Sequence, residues 1–196
     1  MSGDPKKGVI IDATILPSSN RPLSKARREE LDQIPSLQID TQASSTAKRG
    51  RYYVGYKGHI GVDLGNKLIR KKGFTTASPH DSQVKEELFS GDEQAVFANS
   101  AYSHQQDKRA CRAWGIYYGV HDKGTRKKPL SKSQKRRNRK KSSVRSAVEH
   151  PFGYMKERLG YAGCVARNLL RNELRSTMNC VVYNLMREHW LLARKI

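Results

Sequence analysis

The sequence predicts one α/β domain in which a mixed β-sheet is flanked by helices. Segments with strand and helix character alternate along much of the 196-residue chain, and this alternation favours parallel strand pairing. Two neighbouring strand-like runs are separated only by a short turn, which predicts an antiparallel hairpin beside the parallel strands. Hydrophobic residues make up 36% of the chain, which is enough for one core. We therefore expect a single domain spanning residues 1–196.

The first ordered segment is VIIDATIL, residues 9–16. β-Branched residues dominate it, and Gly8 and Pro17 bracket it, so we predict a buried strand. Residues 17–50 are rich in Pro, Ser, Asn, Thr and Gln, and only KARREELDQI within them has helical spacing. This composition predicts a disordered, flexible insertion.

Strand patterns return after residue 50. The runs 52–63 and 67–77 are joined by Leu64-Gly65-Asn66, which is typical of a hairpin. The next four segments predict a helix, a buried strand, a second helix and a short strand. Their residues are 82–90, 94–99, 104–114 and 116–122.

A basic tract and two helices complete the chain. Eleven Lys and Arg residues lie between Lys123 and Lys141. We predict that this tract is a DNA-binding loop, and the alternative is a solvated, disordered loop. A helix carrying Glu149 follows, and Pro151 is expected to kink it just after the glutamate. Apolar residues at helical spacing then predict an amphipathic C-terminal helix within 168–194: Leu170, Leu174, Met178, Val181, Val182, Leu185 and Met186. This element order is that of a ribonuclease-H-like domain.

The formal net charge of +20 and the pI of about 10.1 point to a polyanionic partner. Nucleic acid is the first choice, because cations that contact phosphates release counterions; an anionic membrane surface is the weaker alternative. No run approaches the roughly 20 apolar residues of a membrane span, and the N-terminus lacks a signal-peptide layout. The odd number of cysteines, three, favours a reducing compartment. We therefore expect a cytoplasmic protein that does not bind membranes.

Two carboxylates are candidate functional groups. Asp12 lies in the middle of an apolar strand, where a charge is costly unless something pairs with it. It is either a partner in a buried salt bridge, a carboxylate at an exposed strand face, or a metal ligand. Glu149 follows a long run of cations and is either a surface partner of Arg145 or a second ligand for Mg²⁺, which prefers oxygen.

Several blocks of the sequence agree, in order, with one known family. They are VIIDATIL, YYVGYKGHIGVD, SPHDSQV, NSAY and VRSAVEHPFGYMKERLGY. Together they resemble the catalytic domain of bacterial insertion-sequence transposases of the DDE type, from about residue 8 to residue 190. The resemblance implies a ribonuclease-H-like fold and DNA strand cleavage and transfer by two Mg²⁺ (or Mn²⁺) ions. It also implies binding of transposon ends and target DNA, a homo-oligomer on DNA, and association with the bacterial nucleoid.

The resemblance also implies which residues act. The family's first Asp matches Asp12, and its Glu matches Glu149 in a pattern whose Arg and Lys are Arg145 and Lys156; Ser142 stands where the family has Tyr. These residues would hold the metal ions or contact DNA phosphates. The DNA contacts expected from the pattern and the preceding tract are Arg145, Lys156, Arg136, Arg137, Arg139, Lys140 and Lys141.

The family's second metal-binding Asp, the middle ligand, lies in a Gly/Ala-Asp-Ser-x-Tyr context. This block reads Ala98-Asn99-Ser100-Ala101-Tyr102 here, so Asn99 occupies the position of that Asp. Asn99 supplies one neutral oxygen in place of a carboxylate, so weaker metal binding and loss of most catalysis are expected. The acids that could substitute are Asp63, Asp81 and Asp122.

The alternative to an impaired transposase is a basic DNA-binding remnant without chemistry that inhibits an intact transposase. The family usually carries a helical DNA-binding region before the first Asp. Only eleven residues precede Asp12, so a truncated reading frame or a separate upstream product is expected. An RNA-binding protein of ribosomal type is the weakest alternative, because it would not need a carboxylate in a buried strand.

Overall fold

The centre of the protein is a six-stranded mixed sheet. The computed structural model describes residues 8–19, 22–34, 36, 38–48 and 50–194. The strands are β1 Gly8–Pro17, β2 Ser44–Lys48, β3 Arg51–Asp63, β4 Ile69–Thr76, β5 Ala95–Phe97 and β6 Tyr117–Tyr118. The helices are α1 Lys25–Gln33, α2 Gln105–Ala113, α3 Lys132–Arg145, α4 Glu149–Arg158 and α5 Leu169–Ala193. Short 3-10 turns lie at Asp81–Val84, Glu86–Leu88, Ser100–Tyr102 and Ser146–Val148.

Strand β1 lies in the middle of the sheet. It pairs antiparallel with β3, where Asp12 is opposite Ile60, and parallel with β5, where Ile10 is opposite Phe97. β6 extends the parallel side, and β3 also pairs with β2 and β4. The predicted mixed sheet and its hairpin are therefore confirmed.

Alternate side chains of β1 enter two apolar layers, as the period of a strand requires. Val9 and Ile11 pack in one layer with Leu88 and Tyr102. Ile10 belongs to the other layer, which the helices α4 and α5 cover on the opposite face of the sheet. Burial on both faces explains why this segment reads as a nearly continuous apolar run.

The predicted disordered insertion at 17–50 is not confirmed for the residues that the structure describes. The stretch with helical spacing forms α1, which Ser24 caps, and 44–48 form β2. Asp40 is 2% exposed and accepts a hydrogen bond from the hydroxyl of Tyr56, which lies 2.7 and 2.9 Å from its two carboxylate oxygens. This bond ties the segment to β3. Within this range, residues 20, 21, 35, 37 and 49 lie outside the described residues, as do residues 1–7 of the N-terminal segment.

The basic tract is only partly a loop. Residues 123–131 have no helix, whereas α3 contains the rest of the tract and begins with a capping box formed by Ser131 and Gln134. The expected kink after Glu149 is not found. The helical path is instead interrupted before Glu149, at the 3-10 turn Ser146–Val148. Pro151 lies in the first turn of α4, where its missing N–H costs no helical hydrogen bond.

Helix α5 forms as predicted, but the face it buries differs from the one expected. The residues it buries are Asn172, Ser176, Asn179, Cys180 and Tyr183. All seven apolar residues that define the predicted amphipathic stripe are exposed. No helix of the described residues is long and apolar enough to cross a membrane.

We predict that Tyr56→Phe destabilises the protein by roughly 1–3 kcal/mol, because it removes the hydroxyl that donates to the buried Asp40 carboxylate. Urea unfolding measures the change. Tyr52→Phe on the same strand is the control, because Tyr52 is 84% exposed and should change stability by less than about 0.5 kcal/mol. Equal effects of the two substitutions would contradict the prediction.

Candidate functional site around Asp12

Asp12 lies on the central strand, and its side chain is 17% exposed. Oδ2 accepts a hydrogen bond from Arg145 Nη1 at 2.7 Å. Oδ1 accepts one from the backbone N–H of Ala13 at 3.0 Å and a longer one from Asn99 Nδ2 at 3.4 Å. Both oxygens of this carboxylate therefore have protein donors.

Asn99 follows the C-terminal end of β5, the strand that pairs in parallel with β1. Its Oδ1 accepts from the backbone N–H of Ala101 at 2.7 Å and so caps the 3-10 turn Ser100–Tyr102. This contact fixes the amide with its oxygen toward the turn and its NH₂ toward Asp12. The position therefore offers Asp12 a donor, where a carboxylate would offer a second negative charge.

Arg145 ends α3 and reaches across to β1, and its side chain is 21% exposed. Burial raises the pKa of Asp12 above its ordinary value, and the charge of Arg145 opposes that rise. The Nε of Arg145 is buried without a hydrogen-bond partner in the described structure. A pair between Arg145 and Glu149 was one of the two alternatives that the sequence left open for Glu149, whereas the ion pair that forms joins Arg145 to Asp12.

Glu149 is exposed and occupies the first turn of α4, where an acid interacts favourably with the helix dipole. It makes no ion pair or side-chain hydrogen bond among the contacts that the described residues form. The structure thus brings Asp12 and Asn99 together and adds Arg145, while Glu149 makes no hydrogen bond or ion pair with these side chains among the described residues.

The residues present do not fit a centre for two divalent ions. Such a centre needs anionic oxygens that point into a shared space. Here a guanidinium and an amide N–H face Asp12. Within the described ranges, no three His, Cys, Asp or Glu side chains lie close enough to hold a metal ion.

The three acids considered as substitutes for the middle ligand have other partners. Asp63 caps the turn after β3 through the N–H groups of Gly65 and Asn66. Asp81 pairs with Lys57 at 2.9 Å. Asp122 lies 3.6 Å from Arg137 Nη2 and 4.0 Å from Lys141 Nζ. Each of these carboxylates is therefore held by a cation or a turn.

Two lysines add positive charge near Asp12. Partial burial lowers the pKa of Lys156, and repulsion from the nearby Lys48 lowers it further, while Asp12 acts in the opposite direction. Lys48 also lines a surface cleft together with Asn99 and Ala13. Sequence reasoning identified Lys156 but missed Lys48, because β2 lay inside the stretch read as an insertion.

Helix α3 divides the predicted DNA-binding residues between two faces. The inward face holds the helix on the protein. Asn138 exchanges hydrogen bonds with the backbone of Asp122, and Lys141 donates to Val120 O at 2.6 Å. Arg137 lies at the edge of the outward face. The exposed cations at helical spacing on this face are Lys132, Lys135, Arg136, Arg139 and Lys140.

A mixed sheet flanked by helices, with Asp12 on its central strand, is consistent with a ribonuclease-H-like fold. The model of the transposase DDE domain family matches residues 3–185. The chain therefore belongs to the transposase DDE domain family, whose general function is DNA transposition and whose members generally use divalent metal ions. No solved structure matches this chain.

We predict that Arg145→Gln raises the pKa of Asp12 further, because it removes the positive charge that opposes the effect of burial. Carbon-13 NMR titration of the Asp12 carboxyl measures the change, and the resonance is assigned by its loss in Asp12→Asn. Arg137→Gln removes a charge whose partner is Asp122 and should leave the pKa of Asp12 as it is. An unchanged pKa in Arg145→Gln would show that the ion pair contributes little.

Proposed function

We propose that this chain is a DNA-binding transposase catalytic domain whose phosphoryl-transfer activity is impaired. The observation that carries the proposal is the orientation of Asn99, whose oxygen caps Ala101 while its NH₂ faces Asp12. Membership of the transposase DDE domain family supports a role in DNA transposition.

The impairment follows from the charges around Asp12. Two divalent ions bring a charge of +4, and the family pattern offsets it with three carboxylates. Asn99 removes one of these, and in this structure Nη1 of Arg145, a position that the family pattern shares, lies 2.7 Å from Oδ2 of Asp12. Because Arg145 already donates to Asp12, a metal ion that binds this carboxylate must displace a charge-assisted hydrogen bond.

DNA binding rests on the outward face of α3. Lys132, Lys135, Arg136, Arg139 and Lys140 make no ion pair among the described contacts and lie on one side of a helix. Their ammonium and guanidinium groups can neutralise successive phosphates while the inward face keeps the helix on the sheet. Of the residues predicted to contact DNA, Lys141 donates to Val120 O and Arg145 pairs with Asp12. Lys156 lies near Asp12.

We predict that Asn99→Asp gains divalent-ion-dependent nicking of supercoiled plasmid DNA, whereas the parent protein shows none above background. An aspartate keeps the capping oxygen for Ala101, so the turn is retained while a second carboxylate faces Asp12. Mn²⁺ should also raise the melting temperature of Asn99→Asp and leave that of the parent unchanged.

The double variant Asp12→Asn/Asn99→Asp is the matched control and should lose both gains. Full nicking activity of the parent would overturn the account of an impaired site. If Asn99→Asp gains neither activity nor a melting shift, the result favours the alternative, a non-catalytic DNA-binding remnant that inhibits an intact transposase.

We predict that the triple variant Arg136→Gln/Arg139→Gln/Lys140→Gln binds duplex DNA more weakly at every salt concentration. Each lost phosphate contact lowers the slope of log affinity against log salt by about 0.9, so the slope should fall by roughly 2–3. Fluorescence anisotropy between low and moderate salt measures this. Replacing the exposed Lys25, Arg28 and Lys71 with Gln removes the same net charge from other surfaces. An equal loss of affinity in that control would show that only net charge matters.

A further inference from the structure

Most of the exposed large hydrophobic side chains of the described residues lie on helix α5. Fourteen large hydrophobic side chains are exposed among the described residues, and nine of them belong to this helix. They are Leu170, Leu174, Met178, Val181, Val182, Leu185, Met186, Trp190 and Leu192, with exposures from 36% to 75%. Monomeric proteins rarely expose a continuous apolar face of this length.

The opposite, polar face of α5 is held on the domain by specific hydrogen bonds. Ser176 Oγ bonds the Tyr161 hydroxyl at 2.6 Å, Tyr183 donates to Lys67 O at 2.9 Å, and Asn184 donates to Ile69 O at 2.8 Å. Asn172 donates to Ala166 O at 2.8 Å. A rotation that buried the apolar face would break all of these bonds, so the exposed face is a fixed feature of the fold.

The exposed side chains follow the spacing of a helix that pairs with another helix. Leu174, Met178, Val181 and Leu185 are separated by four, three and four residues, which is the alternation of a coiled-coil seam. Residues 176–186 contain no Asp, Glu, Lys or Arg. In a chain of net charge +20, this neutral seam can meet its own copy without bringing like charges together, whereas it offers nothing to a DNA phosphate.

We propose that this face pairs with α5 of a second copy of the chain, antiparallel about a two-fold axis near the middle of the helix. In that register Leu174 lies opposite Leu185 and Met178 opposite Val181 of the second copy. At both ends of the seam, the exposed Arg171 then meets the exposed Glu188 of the second copy. A two-fold interface needs this self-complementarity, in apolar contacts and in charge.

A standard interface buries about 800 Å² per partner. The nine exposed side chains of α5, five of them more than half exposed, supply the apolar part of such an interface. The pairing depends on α5 alone, so it does not rest on the impaired site or on DNA binding.

The first test measures the mass of the protein without DNA by sedimentation equilibrium at tens of micromolar in 1 M NaCl, where contacts between charges are screened. The parent should be a dimer. Val181→Glu places two negative charges near the axis and should give a monomer with unchanged helical content. Val165→Glu makes the same change at a valine that is 73% exposed outside α5 and should remain a dimer. A monomeric parent, or a dimer that survives Val181→Glu, would overturn the proposal.

The second test fixes the direction of the pair with a short bismaleimide cross-linker. Val181→Cys lies close to the axis and should cross-link to itself above the background of the parent's cysteines. Leu170→Cys should not, because the two copies of residue 170 are about 28 Å apart in the antiparallel register. Self-linking at both positions would mean a parallel pair and would contradict this geometry. DNA affinity of Val181→Glu is measured in parallel, so that failure of the dimer and failure of DNA binding are distinguished.

Discussion

The ion pair between Asp12 and Arg145 is the constraint on which the site depends. A carboxylate in the central strand of a sheet must have a counter-charge, because burial alone raises its pKa and favours the neutral form. Here the counter-charge comes from the last residue of the basic helix α3. The contact therefore joins the centre of the sheet to the helix that carries the outward-facing cations.

Local patterns predicted much of the fold, because strand β1, the β3–β4 hairpin and the terminal helix each have a strong period or turn signal. The segment 17–50 was read as disordered because its order comes from a distant contact. The hydroxyl of Tyr56 binds a buried Asp40 sixteen residues earlier, and no local composition reports such a bond. Lys48 was missed with it for the same reason.

Of the residues that the sequence proposed for the site, Asp12, Asn99 and Arg145 lie together, whereas Glu149 makes no hydrogen bond or ion pair with them in the described structure. Asp12, Asn99 and Arg145 could be named from the sequence, but the orientation of an amide and the choice of partner for a guanidinium are set by tertiary contacts. Helix α5 shows the same limit. A hydrophobic period shows that a helix has an apolar face, but it does not say whether that face meets the domain or another molecule.

Arg145 ends α3 and reaches inward to β1, unlike the outward-facing cations of the same helix. Its Nη1 donates to the strand carboxylate, and its buried Nε has no hydrogen-bond partner in the described structure. If this side chain moved away from Asp12, the effect of burial would be less opposed and the pKa of the carboxyl would rise further. The charge state of the central carboxylate is therefore sensitive to the position of one side chain at the end of a helix.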